Sequence, residues 1–343
     1  MMTKRTFTLA SLAAGALALT VGGALGMPSA QAAGYYEGKT VVLVVPHSTT
    51  GGYGRYSKLI APYIEKELKA DSVRIEHHRG AGGLVGTNLV WRAEPDGLTI
   101  GFSSGTSLLL TQLAGGEGVQ FDALKFTYLG RAASVDRVIF VGANSPIKTV
   151  DDVLKLGRPF RMPSQGTDDD FYGMALVAHT LGFDVQYITG YEGSADTTLA
   201  VVKGDGDGRL TSWTSALGPI KAGDARPWLT LGVERHPDYP EVPTAIESAK
   251  TEAGKKTLRA LYNIQSLHRS FFGPEGIPDE VAAEMRDAIG RALANPELLA
   301  AAKKSSLPIN AMHGSDQQKL VAEIYEASAS IPPVLEAAQQ SIK

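Results

Sequence analysis

Residues 44–60, VVPHSTTGGYGRYSKLI, carry a valine strand into a Gly-rich turn and straight on into an amphipathic helix. Tyr56, Leu59, Ile60, Tyr63 and Ile64 recur at i, i+3, i+4, i+7 and i+8, which places them on one buried helix face. Pro62 within that helix removes one backbone hydrogen bond and is expected to bend it. A helix that starts at a glycine turn presents amides without intrahelical partners, so the turn suits an anion. The same alternation continues outward. Strands are expected at residues 39–45, 73–77, 98–102, 126–132, 136–142, 185–188, 207–211, 228–234 and 268–273, with helical patterns between them, the signature of an α/β sheet with parallel strands. From Pro278 the pattern is almost wholly helical, with a break at Asn295-Pro296 and a cap expected at Gly314-Ser315-Asp316. No repeat and no Pro/Gly/Ser-rich tether divides the chain. Two domains would therefore be joined by strands that cross between them, at residues 126–142 and again at 228–273.

The N-terminus reads as a secretory signal peptide over residues 1–32: Lys4 and Arg5, an apolar run from Phe7 to Leu25, then Ala30-Gln31-Ala32 as an A-x-A cleavage pattern. Gly15, Gly22, Gly23 and Gly26 interrupt the run, which leaves it short of the ~20 apolar residues of a spanning helix. Cleavage would shift the formal net charge from -3 to -5, since Lys4 and Arg5 leave with the peptide. Nothing in that balance suits nucleic acid. With no cysteine, the exported chain can have no disulfide, no thiolate metal site and no lipid-modified N-terminal cysteine. The mature chain is expected to be soluble and periplasmic.

Three functions compete for the glycine turns. Gly52-Tyr53-Gly54-Arg55-Tyr56-Ser57 approximates a dinucleotide fingerprint with Glu76 as the ribose acid, but six residues separate Pro46 at the strand end from the first glycine, too many for the tight turn. Gly101-Phe102-Ser103-Ser104-Gly105 matches G-x-S-x-G after a strand and before a helix, the setting of a nucleophile elbow, with His179, His236, His268 and His313 as candidate bases. This secreted hydrolase is the main rival reading. Metal chemistry is weaker: His77 and His78 point to opposite faces of a strand, and Asp205 and Asp207 lack the further oxygens of a calcium loop. Asp168-Asp169-Asp170 reads as a helix N-terminus. No cofactor and no metal is expected.

The third function is solute capture, and it rests on a resemblance. Residues 79–101, RGAGGLVGTNLVWRAEPDGLTIG, closely resemble the signature of the substrate-binding proteins of tripartite tricarboxylate transporters, the Bug receptors, with its P-G-A-G-G-x-x-G stretch, short helix and P-D-G. Further similar stretches follow in family order: VVPHSTTGGYGRYSKL, SPIKTVDDVLKL, MPSQGTDDDFYGMAL, GYEGSADTTLAVVKGDGD and FFGPEGIPDEVAAEMRDAIGRALANPEL. Together they span the mature chain.

The resemblance implies a two-domain periplasmic-binding-protein fold of type II (Venus flytrap) joined by crossing strands. Domain I is expected at residues 34–136 and 263–343, and domain II at 137–262. It implies a non-enzymatic, monomeric receptor that holds a small carboxylated solute between the domains and delivers it to the membrane components of a tripartite tricarboxylate transporter. The cleft residues it implies are Thr49, Thr50, Gly51, Gly52, Tyr53, Ser104, Gly105 and Thr106 from domain I, and Gln165, Gly166, Thr167, Gly193, Ser194, Ala195 and Trp213 from domain II. A carboxylate would dock on backbone amides without a lysine or arginine. Where many members carry an acid this chain has Gly54, and Lys58 stands for the usual arginine, which speaks against an amino group on the ligand.

Overall fold

The computed structural model describes residues 34–328 and 331–342; the expected signal peptide, residues 1–32, lies outside them. The first half-fold runs β1 (Thr40–Val45), α1 (Gly52–Leu68), β2 (Ser72–His77), α2 (Leu84–Trp91), β3 (Thr99–Ser103), α3 (Gly105–Leu113) and β4 (Thr127–Arg131). The chain then crosses into β5 (Arg137–Gly142), α4 (Val150–Leu154), β6 (Phe160–Pro163), α5 (Asp169–Leu181), β7 (Val185–Ile188), α6 (Ser194–Lys203) and β8 (Gly208–Ser212). After α7 (Trp213–Ala222), β9 (Ala225–Thr230), α8 (Ala245–Ser248) and α9 (Glu252–Gln265), it returns as β10 (Ser270–Gly273). The remainder is α10 (Asp279–Ala294), α11 (Pro296–Lys304), β11 (Met312–His313), α12 (Gly314–Ala327) and α13 (Pro332–Gln340).

One six-stranded sheet has the order β11-β4-β10-β3-β1-β2, and a three-stranded sheet has the order β8-β5-β9, with β6 and β7 as a separate pair. The parallel pairing expected from the alternation holds for β1 with β2 and β3, and for β6 with β7. The crossing strands run the other way: β10 is antiparallel to β3 and β4, and β5 is antiparallel to β8 and β9. Chain order explains it, since β10 enters the large sheet from the second half of the molecule and β5 leaves it only five residues after β4.

The apolar face read from α1 is the face that packs. Tyr56, Ile60 and Ile64 are fully buried against β1, β3 and α10, with Met285 and Ala288 opposite. Each such side chain contributes about 1.5–3 kcal/mol of burial. Pro62 lies inside α1. Three sequence expectations are corrected. β6 escapes notice because Arg161 and Pro163 break its apolar run. β9 begins at Ala225 rather than 228 and tolerates Pro227 because it is an edge strand with a register shift against Ile139 and Phe140. The cap of α12 is His313, whose ring accepts from the Ser315 amide, rather than Gly314-Ser315-Asp316. Asn295 does cap α11, accepting from Glu297 and Leu298.

Among the described residues, no helix is long and apolar enough to cross a membrane.

Candidate functional site

Between the β1–α1 turn and the N-termini of α5 and α6 lies a narrow cleft. His47, Ser48, Gly51, Gly52 and Tyr53 line it from one side, and Gln165, Asp168, Asp169, Asp170 and Ser194 from the other. Arg137, His268 and Arg269, which flank the two crossings, form its floor.

The α1 end of the cleft is built for negative charge. Gly51 is its N-cap and supplies no capping side chain, and no acidic residue stands in the first turn. Among the described residues the amides of Gly52, Tyr53 and Gly54 have no hydrogen-bond acceptor. Roughly half a positive charge is left uncompensated there.

Beside those amides stands a cation that nothing in the sequence singled out. Arg269 is 2 % exposed, has φ of 58°, and stacks its guanidinium over Tyr53 at 3.9 Å and Tyr56 at 5.0 Å. Among the described residues it makes no ion pair, and its Nε is buried without an acceptor. A left-handed conformation in a non-glycine residue costs on the order of 1–3 kcal/mol and persists only where the surroundings hold it. Arg269 thus stands at the turn where docking on backbone amides alone was expected.

Across the cleft the charges are committed to one another. Arg137 Nη1 donates to Asp169 Oδ2 at 2.6 Å and Nη2 to Asp170; Arg209 Nη2 donates to Asp170 Oδ2 at 2.6 Å and Nη1 to the Ser194 carbonyl at 2.8 Å. Burial opposes the charge on Asp169, but the Arg137 guanidinium and the His268 contact hold its pKa well below the usual carboxylate range. Asp168 caps α5 by accepting from Phe171 N at 3.0 Å, which confirms the helix N-terminus read from the three acids. Burial and the neighbouring carboxylates of Asp170 and Asp169 push its own pKa up. His268 Nε2 sits 3.0 Å from Arg137 Nη1 and 3.2 Å from Asp169 Oδ2, and burial lowers its imidazole to about 3. Its Nδ1 is buried with no partner.

The residues expected from sequence divide sharply. Gly51, Gly52, Tyr53, Gln165 and Ser194 line the cleft. Thr49 and Thr50 are exposed outside it. Ser104 is fully buried and caps α3 through Ser107 N, Thr106 donates to the Ile264 carbonyl at 2.9 Å, and Gly105 packs on Leu267, so all three serve the interior. Gly166 and Thr167 meet Gly82 of the opposite half instead of facing the space. Gly193 caps α6 against Ser48, and Ala195 is exposed. Trp213 stacks on Tyr239 at 4.9 Å within an apolar cluster with Val138 and Phe140.

Ser103 of the G-x-S-x-G motif does meet a histidine, although none of the expected ones: His47 Nε2 lies 2.8 Å from its Oγ. The serine is 2 % exposed, the His47 ring is stacked on Tyr53 at 4.1 Å, and no carboxylate among the described residues bonds that ring. Burial lowers the His47 imidazole to about 3. Among the described residues, no group of three or more His, Cys, Asp or Glu side chains is placed to hold a metal ion.

Two α/β layers, a double crossing and a charged cleft between them define a two-domain solute-binding protein of the periplasmic type. The chain belongs to the tripartite tricarboxylate transporter receptor family, whose profile matches residues 58–335. It is 26 % identical over 275 residues to a protein of the tcbD-tcbE intergenic region of Pseudomonas sp., covering 78 % of each chain. Its fold superposes on MatC from Rhodopseudomonas palustris with bound malate at a TM-score of 0.71, with 20 % identity over 87 % of this chain and 99 % of that one. It superposes equally, at 0.71, on the periplasmic binding protein BugD, with 19 % identity over 89 % of this chain and 98 % of that one.

Proposed function

We propose that this chain is exported to the periplasm, captures a small carboxylated solute in the cleft, and presents it to the membrane components of a tripartite tricarboxylate transporter. The observation that carries the reading is the open amide end of α1 beside Arg269: backbone donors, a helix dipole and a guanidinium converge where, among the described residues, no carboxylate pairs with them. The malate of the R. palustris relative is the kind of ligand such a site accepts. The contact set is Gly51, Gly52, Tyr53 and Arg269 from domain I, with Gln165 and Ser194 from domain II. Domain I would comprise residues 34–136 and 266–343 and domain II residues 137–265, with the expected return boundary at 262/263 moved to the end of α9 at Gln265 so that it does not cut a helix.

The test is a thermal-shift screen of the purified mature chain against mono-, di- and tricarboxylates, aromatic acids and amino acids. A true ligand at 100-fold its dissociation constant adds about 2.7 kcal/mol of stability. A flat response across the whole panel sinks the carboxylate reading.

A further inference from the structure

His47, Tyr53 and Arg269 form one stacked column beside the open end of α1. The His47 imidazole lies 15° from parallel with the Tyr53 ring at 4.1 Å between centres, and the Arg269 guanidinium lies over the same ring at 3.9 Å. Two planar groups this close to one ring centre must take opposite faces. Phe102 and His268, 5.7 and 5.4 Å away and steeply inclined to that ring, therefore meet its rim. Tyr53 is thus kept from sliding by its rim neighbours and from tilting by what covers its two faces.

The two outer members of the column are held very differently. His47 is tied at both ends: its Nε2 lies 2.8 Å from Ser103 Oγ, and His77 Nδ1 lies 2.8 Å from its carbonyl oxygen. Arg269 makes no ion pair among the described residues, and its Nε has no acceptor. Its head is placed by the Tyr53 face, with Tyr56 5.0 Å away and Gly52 beside Nη2. A binding group works only when packing locks it in its productive geometry.

We propose that His47 is a positioning residue for anion capture: by backing the far face of Tyr53 it fixes where the Arg269 guanidinium stands against the α1 turn. This rests on the receptor reading and deepens it. The three stacked side chains all belong to domain I as drawn above, so the column does not depend on closure of the cleft. Without the imidazole, Tyr53 would tilt into the space left behind and the guanidinium on its other face would follow. Leucine at this position supplies bulk but no flat face, whereas phenylalanine restores the face and loses only the bond to Ser103.

The test reads the stack and its consequence on the full mature chain, with circular dichroism confirming the fold of each variant. In the ligand-free protein the Arg269 Nε–H resonance, identified by its loss in Arg269→Gln, should be displaced upfield from the other arginines by the Tyr53 ring current. His47→Leu should return it toward them, and His47→Phe should leave it displaced. Calorimetry with L-malate, succinate, citrate and benzoate then carries the tightest binder through a double-mutant cycle. His47→Leu should weaken binding about fivefold or more and His47→Phe less than about twofold. On the Arg269→Gln background His47→Leu should cost less than about twofold, because no guanidinium is left to position. Equal losses on both backgrounds, or an unmoved resonance in folded His47→Leu, overturn the positioning role and leave the receptor reading standing. Should Arg269→Gln bind too weakly to titrate, the resonance decides. Binding of none of the four acids by the wild type would count against the receptor reading, and the proposal would fall with it.

Discussion

The guanidinium carbon of Arg269 lies 3.9 Å from the centre of the Tyr53 ring, and its Nη2 occupies the space that a side chain on Gly52 would need. A cation over an aromatic face gains about 0.5–2 kcal/mol. The stacking fixes the arginine from one side without using its N–H donors, which stay available to a bound carboxylate.

Gly52→Val should therefore act through Arg269, pushing the guanidinium off Tyr53 as well as crowding the turn. Losing a charge-assisted contact in a desolvated site costs about 2 kcal/mol or more, some thirtyfold in Kd. Arg55→Ala should change binding less than twofold, because Arg55 Nη2 donates to the Ser305 carbonyl on the outer surface at 2.7 Å. Calorimetry on the two variants, with circular dichroism to confirm folding, decides it. A loss confined to Arg55→Ala would place the anion elsewhere.

How far the sequence carried is visible in these same residues. The helix face of α1, the glycine turn at 51–52 and the cap at Asp168 follow from local periodicity and turn chemistry, so they could be read. Arg269 could not, because its place over Tyr53 and Tyr56 depends on the chain returning from the second half just before β10, a contact between residues more than 200 apart. Ser104 and Thr106 differ from expectation for the converse reason. Small polar residues at a strand end look alike whether they face a ligand or cap a buried helix, and only the position of α9 and the Ile264 carbonyl separates the two.

The acid network should dominate stability. Asp170 is gripped by both Arg137 and Arg209, all three nearly fully buried. Asp170→Ala leaves two buried guanidinium groups short of an anion, with an expected loss of about 3–5 kcal/mol. Thr149→Ala, which removes an exposed cap from α4, should cost only about 1 kcal/mol. Chemical denaturation of both variants gives the comparison, and equal losses would show that the network adds nothing to the fold.

His268 sets a pH signature. Its folded pKa of about 3 lies below the unfolded value near 6.5, so between those limits the unfolded chain binds the extra proton and stability falls as pH falls. The slope is about 1.4 kcal/mol per pH unit for this imidazole. His47, also lowered to about 3 by burial, acts in the same direction, and Asp168, with its raised pKa, acts in the opposite direction over the acid part of that window, so the net slope of the wild type mixes all three. The difference between wild type and His268→Gln isolates the imidazole: the variant should lose less stability between pH 6 and 4.5. Parallel curves would mean that His268 is not held neutral.

No ester hydrolysis is expected from Ser103. It is buried, and among the described residues no carboxylate bonds the histidine beside it, so the pair lacks the third member that an activated serine requires. Assay of the mature chain with short-chain nitrophenyl esters checks this; turnover that disappears in Ser103→Ala would revive the hydrolase.

Closure is the last expectation, and it is written in the contacts that roof the cleft. Gly82 of the first half meets Thr167 and the Asp168 amide, and a Cβ on Gly166 would stand 2.9 Å from Gly82 N. Ser48 approaches Gly193 in the same way, and Arg79 reaches Glu192 at 3.0 Å. A ligand moves an open-closed equilibrium only by binding one state better, which here requires contacts from both halves at once. Small-angle scattering should show the radius of gyration fall when the solute found by screening is added to saturation. Gly166→Val should prevent that compaction, since φ at this position is 128° and the added atoms would strike the opposite loop. Arg79→Ala should leave it intact, because an ion pair this exposed contributes at most about 1 kcal/mol. Ligand binding with no change in radius would mean that one half holds the solute alone, and the roof contacts would then be features of a rigid molecule.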